Sequence, residues 1–347
     1  MRVVVGRVEA PRRHPAKYWR PLGGGRVQCT LCPNNCVIPE GKRGICRVRE
    51  NRGGRLYTLT YGQPATFHFE TMEKQPLLHY LPGSRVLALG TAGCNLGCLY
   101  CQNWQFTQTY PEFVSLYRLP PEEVVNLARK GRCRAISFTY NDPVVCIEYV
   151  LDVAKLAHRA GLRVVAVTGG YINPGPMRDL CHAVDAFKVD LKGFSEEFYR
   201  RVVRGRLKPV LEGMKIVKRS GKWLEAVYLV VPGNNDSPKM VERTAKWVKE
   251  NLGPGTPVIF SRFWPKYRMK NLPPTPVRTL ERCISIAKKV GLKFVYIGNV
   301  PGHPAEDTYC PKCGKKVVDR QGAHLRRLYL NSGRCPYCGA RIPGVWR

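Results

Sequence analysis

The sequence predicts an α/β fold, a partial (β/α) barrel of six to seven parallel units, with one small cysteine-rich region before it and another after it. Three observations carry this. Short apolar segments alternate with amphipathic stretches from about residue 85 onward. Glycines stop several of the amphipathic stretches, as at helix C-termini. Eleven cysteines fall in three separate clusters, one of them directly behind the first apolar segment. The strand candidates in order are RVLALG, RAISFTY, RVVAVTGG, AFKVDLKG, WLEAVYLVVPG, PVIFSRF and KFVYIGNV, and between them PEEVVNLARKG, PVVCIEYVLDVAKLAHRAG, DSPKMVERTAKWVKENLG and TLERCISIAKKVG read as helices. A parallel strand needs a crossover helix to return to its sheet, so the repetition favours a barrel over a doubly wound open sheet. Functional residues should then gather at the C-terminal ends of the strands.

Three regions follow: a cysteine-rich segment over 1–84, the barrel over 85–304, and a segment with two CxxC knuckles over 305–347. With 347 residues and 44% hydrophobic content, the chain can bury a sizeable core, which excludes fibrous and disordered classes. The opening MRVVVGRVEA has too short an apolar run for a signal peptide, and no stretch approaches the roughly 20 apolar residues of a membrane span. A cytoplasmic protein without a membrane partner is expected. There, fifteen cysteines point to metal ligation rather than disulfides. Cys133, Cys146, Cys181 and Cys283 lie on apolar segments and read as small hydrophobes. Lys and Arg number 57 against 25 Asp and Glu, a net charge of +32 spread along the chain that suits nucleic acid, an acidic partner or an anionic substrate.

The stretch CNLGCLYC follows the first strand through a TAG turn, placing Cys94, Cys98 and Cys101 on one loop at the barrel mouth. Soft thiolates select zinc or iron-sulfur centres, and a 4Fe-4S cluster has four irons, so three thiolates leave one iron open. An open iron can be chelated by the amino and carboxylate groups of S-adenosylmethionine (SAM), a radical cofactor. The competing reading is a structural zinc site with His79 as fourth ligand, although such sites usually pair their ligands in CxxC knuckles. Cys310, Cys313, Cys335 and Cys338 form two such knuckles at the spacing of a four-thiolate zinc ribbon, with Arg320, Arg326 and Arg327 between them as a grip for a macromolecule. Cys29, Cys32, Cys36 and Cys46 read as one further four-thiolate site. It would hold either zinc as a staple or an iron-sulfur cluster as an electron relay.

Asp190 and Lys192 stand two residues apart on one face of the strand FKVDLKG, where opposite charges amid apolar residues are costly unless paired or used. Asn-Asp-Pro in TYNDP, at 141–143, is good turn chemistry, and so is the Gly169–Gly170 pair. His79, with Glu73 and Lys74, precedes the first strand and reads as structural or catalytic.

CNLGCLYCQNWQ resembles the radical SAM superfamily, specifically its pyruvate formate-lyase activating-enzyme-like branch. MEKQPLLHYLPGS, TYNDP, FKVDLKG, LVVPGNNDS, FSRFWPKYRM and YIGNVPG extend the likeness over nearly the full chain, to the AmmeMemoRadiSam-system radical SAM enzymes. The resemblance implies an oxidoreductase-type enzyme that reductively cleaves SAM at a 4Fe-4S cluster, forming a 5'-deoxyadenosyl radical that abstracts hydrogen. It implies an external one-electron donor of flavodoxin or ferredoxin type, and a protein or peptide as substrate, as for glycyl-radical activating enzymes. RNA or tRNA modification by the same chemistry is the alternative that the charge and the ribbon motivate, and a non-catalytic nucleic-acid-binding zinc protein is a third reading. By the same resemblance Tyr140, Asn141 and Asp142 lie near the SAM methionine amino group, where other members carry Gly-Gly-Glu; the family usually has Glu in place of Asp142. Gly169 would contact the cofactor, where relatives have Thr-Asn-Gly, and Asp190 and Lys192 would approach its methionine or ribose. Arg262 and residues 231–234 end later strands as rim candidates.

Overall fold

The computed structural model describes residues 6–8 and 10–346. Its central sheet holds β1 (Pro64–Thr71), β2 (Arg85–Thr91), β3 (Ala135–Phe138), β4 (Arg163–Thr168), β5 (Ala186–Asp190), β6 (Trp223–Val230), β7 (Val258–Arg262) and β8 (Val295–Gly298), side by side in that order. Strands β2 to β8 are parallel throughout, and β1 runs antiparallel along β2. Six crossover helices join the seven parallel strands: α1 (Pro121–Lys130), α2 (Ile147–Arg159), α3 (Pro174–Ala183), α4 (Leu207–Arg219), α5 (Pro238–Leu252) and α6 (Val277–Val290). The two edge strands do not pair with each other, so the expected partial barrel is what forms. The sheet takes in Pro64–Thr71, ahead of residue 85.

Local chemistry sets the helix limits. Helix α1 opens on Pro121 with Glu122 and Glu123 in its first turn and closes on Arg129 and Lys130, each charge placed to favour the helix dipole. Ser237 caps α5 by accepting from the Met240 amide, and Gly291 ends α6 in the left-handed region. On the strands Leu87, Leu89, Ile136 and Phe138 face the helices, while Val86, Ala135, Val165 and Ala186 face inward.

The inward face is floored by the segment before β2. Gln75 accepts from the Ser137 hydroxyl at 2.8 Å, and the Leu78 and His79 amides both donate to the buried Glu225 carboxylate on β6 at 2.8 Å. The C-terminal segment seals this floor. Its three-stranded sheet, Thr308–Tyr309, Lys316–Gln321 and His324–Leu328, sends Val317 and Val318 into one apolar cluster with Leu78, Ile259, Phe294 and Tyr296. Arg320 is buried and donates to the carbonyls of Leu78 and Glu306, which removes it from any macromolecular grip; Arg326 and Arg327 remain exposed. His79 is wholly buried between the Pro343 carbonyl and the Tyr296 hydroxyl, and burial pushes its pKa down to about 3. It is a neutral floor residue, not a catalyst at the mouth.

The region before the sheet forms two further three-stranded antiparallel sheets. It is tied to the barrel by a buried ion pair of Arg49 with Glu148 on α2, at 2.6 Å. Cys133, Cys146, Cys181 and Cys283 are buried, as expected of small hydrophobes. No helix among the described residues is long and apolar enough to cross a membrane.

Candidate active site

The loop that carries Cys94, Cys98 and Cys101 leaves β2 at Thr91 and is fixed along its length. Gly93 is in the left-handed region, and a Cβ there would collide with the Cys46 carbonyl and stand 2.7 Å from a Val48 methyl, so only glycine lets the chain pass. Asn141 clamps the loop's root: its carbonyl oxygen accepts from the Thr91 amide at 3.1 Å, and its NH2 donates to Thr91 Oγ1 and the Gly93 carbonyl at 2.9 Å each. Further along, the Gly97 and Leu99 amides donate to the carbonyls of Val203 and Val202. Asn95 and Gln108 each donate to a backbone carbonyl, of Tyr171 and Leu96. Asn95 of CNLGCLYCQNWQ and Gln108 just beyond it are thus scaffold for the three thiols.

The three thiols border a cavity of about 390 Å³ at the C-terminal ends of the strands, shared with Tyr140, Asn141, Asp142, Gly169, Asp190 and Lys192. Residues separated by up to a hundred positions are therefore brought to one chamber. His79 does not line it, which leaves the zinc reading of the loop without its fourth ligand. Nor do residues 231–234 or Arg262; Arg262 donates to the Thr275 carbonyl at 2.9 Å and lies against the Trp264 ring. Asn235, which the sequence reading passed over, holds the segment after β5 by donating to the Lys192 carbonyl at 2.7 Å.

Asp142 spends its carboxylate on the protein. One oxygen accepts from Thr168 Oγ1 at 2.8 Å and the other from the Gly169 amide at 2.9 Å, joining the ends of β3 and β4. Burial raises its pKa, opposed by these hydrogen bonds. The shorter side chain suits this span, and Tyr140 beside it takes a left-handed φ of 69° with its carbonyl held by Asn103 at 2.7 Å. At Gly169 a Cβ would meet the Leu96 Cδ1 methyl at 2.8 Å and Asp142 Oδ2 at 3.2 Å, so a side chain there would require Leu96 to shift.

Asp190 is gripped on both sides, by Lys188 Nζ at 2.5 Å and Lys192 Nζ at 3.3 Å. Burial works against its charge, yet the two ammonium groups hold its pKa below the usual carboxylate range. For Lys192, burial opposes the charge as well, and Asp190 outweighs it, raising the pKa. Lys188 is absent from the sequence reading, though the same two-residue period that pairs Asp190 with Lys192 puts it on their face. The chamber is therefore a soft-ligand triad facing a fixed, net-positive charge cluster.

Asn141→Ala should loosen the loop's root. Losing three hydrogen bonds costs about 1–3 kcal/mol; we expect a lower melting temperature and reduced iron per chain after anaerobic reconstitution, both measurable on the same sample.

Comparison with known proteins bears on the family and the fold. A model of the radical SAM superfamily matches residues 89–248. An uncharacterized protein of Methanocaldococcus jannaschii is 40% identical over 329 residues, covering 94% of this chain and 98% of that one. The pyruvate formate-lyase 1-activating enzyme of Escherichia coli is 22% identical over 236 residues, 62% of this chain and 93% of that enzyme. A radical SAM methyltransferase from Sphaerobacter thermophilus shares the fold at a TM-score of 0.50 and 16% identity, over 65% of this chain and 71% of its own.

Proposed function

The chain belongs to the radical SAM superfamily and is a radical SAM enzyme with activating-enzyme homologues, and from that premise we propose that it cleaves SAM reductively and abstracts hydrogen from a protein or peptide. One observation carries the cleavage half: three thiols and no fourth cysteine or histidine border the chamber among the described residues. A cluster bound there keeps one iron for an outside ligand.

The residues present fit both groups. Outside the C-terminal ribbon, no three thiols, carboxylates or imidazoles among the described residues lie within 4.8 Å of one another, so the loop thiols are spread beyond the shell of a single ion. The Tyr100 hydroxyl is buried at the chamber wall without a hydrogen-bond partner, and Gly169 borders the same chamber. When bound, the cluster and SAM supply, on receipt of one electron, a 5'-deoxyadenosyl radical that takes a hydrogen atom from substrate. Cys94, Cys98 and Cys101 would hold the cluster. The Tyr140–Asp142 turn and Gly169 would border the methionine end of SAM, with Asp142 keeping that backbone in place. Asp190 and Lys192 would meet its polar groups.

The protein or peptide assignment draws on the Escherichia coli homologue, whose name states that it activates an enzyme. We further assign an external flavodoxin- or ferredoxin-type donor and a cytoplasmic location, the latter suiting fifteen unpaired cysteines. The test is anaerobic: protein reconstituted with iron and sulfide, given SAM and reductant, should release 5'-deoxyadenosine, and failure to do so with an intact cluster ends the proposal. Retention of tRNA with a steep salt dependence would move the substrate to RNA.

At the C-terminal ribbon we assign zinc. The sulfurs of Cys310 and Cys338 lie 3.6 Å apart and those of Cys313 and Cys335 3.7 Å. Four thiolates about 2.3 Å from one tetrahedral ion stand at nearly this separation. We expect about one zinc per chain and its loss in Cys335→Ser, read by metal analysis, with a lowered melting temperature because the ribbon seals the floor.

A further inference from the structure

We propose that Cys29, Cys32, Cys36 and Cys46 hold a second 4Fe-4S cluster that passes electrons to the one on the Cys94 loop. The relay half rests on the radical SAM reading above; the cluster half does not.

Three observations carry it. All four thiols border one small cavity, yet no three of them lie within 4.8 Å of one another, whereas the four ribbon thiols do. Zinc gathers its four sulfurs around one ion; in a 4Fe-4S cluster each thiolate binds a separate iron, so the sulfurs stand farther apart. The same fold thus holds two four-thiolate sites of different bore.

The second observation is a donor without an acceptor. Arg49 is 1% exposed and borders this cavity, and its Nε–H has no hydrogen-bond partner although its other nitrogens bind Glu148 and the Lys17 carbonyl. A buried donor left unpaired costs about 1–3 kcal/mol. An electron-rich cluster sulfur in the cavity would accept it, and such hydrogen bonds tune a cluster's potential.

The third is adjacency. The Cys46 carbonyl presses on Gly93, the residue before Cys94, and Asn34 donates to the Asn95 carbonyl at 2.9 Å. Asn34 and Asn95 both border the four-thiol cavity. One backbone contact therefore separates a ligand of the first site from a ligand of the second. In the relay, a reduced flavodoxin- or ferredoxin-type donor loses one electron, the outer cluster gains and then loses it, and the inner cluster ends one electron richer. No bond forms and no proton moves in that step.

The test uses the full chain, reconstituted anaerobically with iron, sulfide and zinc. The triple variant Cys94→Ala, Cys98→Ala, Cys101→Ala should retain about four irons and four sulfides, with the paramagnetic signal of a one-electron-reduced 4Fe-4S cluster on reduction. Two zinc ions per chain and no iron in that variant would overturn the proposal, and since no SAM is involved this outcome is separate from failure of the cleavage reading. For the relay, Cys32→Ala with Cys46→Ala, checked for folding by retention of the ribbon zinc, should lower SAM cleavage driven by reduced flavodoxin at least tenfold. Wild-type rates in that variant, with its outer iron gone, would overturn the relay. Cys36→Ser gives the same reading should the double variant not fold.

Discussion

Cys98→Ala should abolish 5'-deoxyadenosine formation while leaving the chain folded. The thiol is buried, and burial pushes its pKa up to about 11 against the pull of Lys192, so its thiolate is stable only where a cation replaces the proton. With two thiols left, the loop cannot anchor a cluster that needs three. Alanine fills the site with little strain, because the loop is held by the Gly97 and Leu99 amides and by Gln108, the sulfur adding only a long contact to the Val203 carbonyl at 3.9 Å. We expect SAM cleavage below detection, iron lower by about four per chain, and an unchanged circular dichroism spectrum. Cleavage near the wild-type rate would remove Cys98 from the cluster.

Glu225→Ala should destabilise the barrel strongly. Three donors converge on that carboxylate: the Leu78 and His79 amides and the Trp223 indole at 2.9 Å. Removing it strands all three in the floor, a loss of about 3–5 kcal/mol in urea unfolding. Glu225→Gln keeps one acceptor and should lose about 1–2 kcal/mol. The pH dependence separates the two roles of the residue. Burial pushes the folded pKa up from 4.5 to about 7, outweighing the three donors. Between those values the unfolded chain is ionised there and the folded one is not, so the unfolded state binds fewer protons and stability falls as pH rises. Below 4.5 both forms are protonated and the effect vanishes; above 7 the loss is complete and constant. The difference in unfolding midpoint between pH 5 and pH 8 should shrink in Glu225→Gln relative to wild type.

Much of this was legible in the sequence because it is local. Apolar runs separated by helical periods specify the seven parallel strands, and cysteine spacing separates the open triad from the closed ribbon. Asp190 and Lys192 follow from the two-residue strand period. What was hidden depends on contacts between distant segments. Nothing near Glu225 announces that residues 78 and 79 will donate to it, and nothing near Arg320 shows that its guanidinium caps the Leu78 carbonyl rather than facing solvent. Composition counts Arg320 as surface charge; burial makes it an internal clamp. Asn141 read as turn chemistry or a cofactor neighbour, but its three bonds run back to Thr91 and Gly93, a role visible only once β2 and β3 lie side by side. The shorter Asp142 has a physical account of the same kind, in the span from its carboxylate to Thr168 and Gly169.

The sealed floor also bears on how the enzyme is made. His79 meets Pro343 across 264 residues and Leu78 meets Arg320 across 242, so the chamber is shut by partners from nearly opposite ends of the chain. Loops of that length are slow to close, and the parallel sheet above them is itself rich in distant pairings. During synthesis the inward face of the late strands, at Val227, Ile259 and Tyr296, would wait, uncovered, for the ribbon to emerge and take up its metal. Zinc supply would then govern the yield of folded protein as well as its final stability, and growth in zinc-poor medium should shift the product toward aggregates even where iron and sulfide are plentiful.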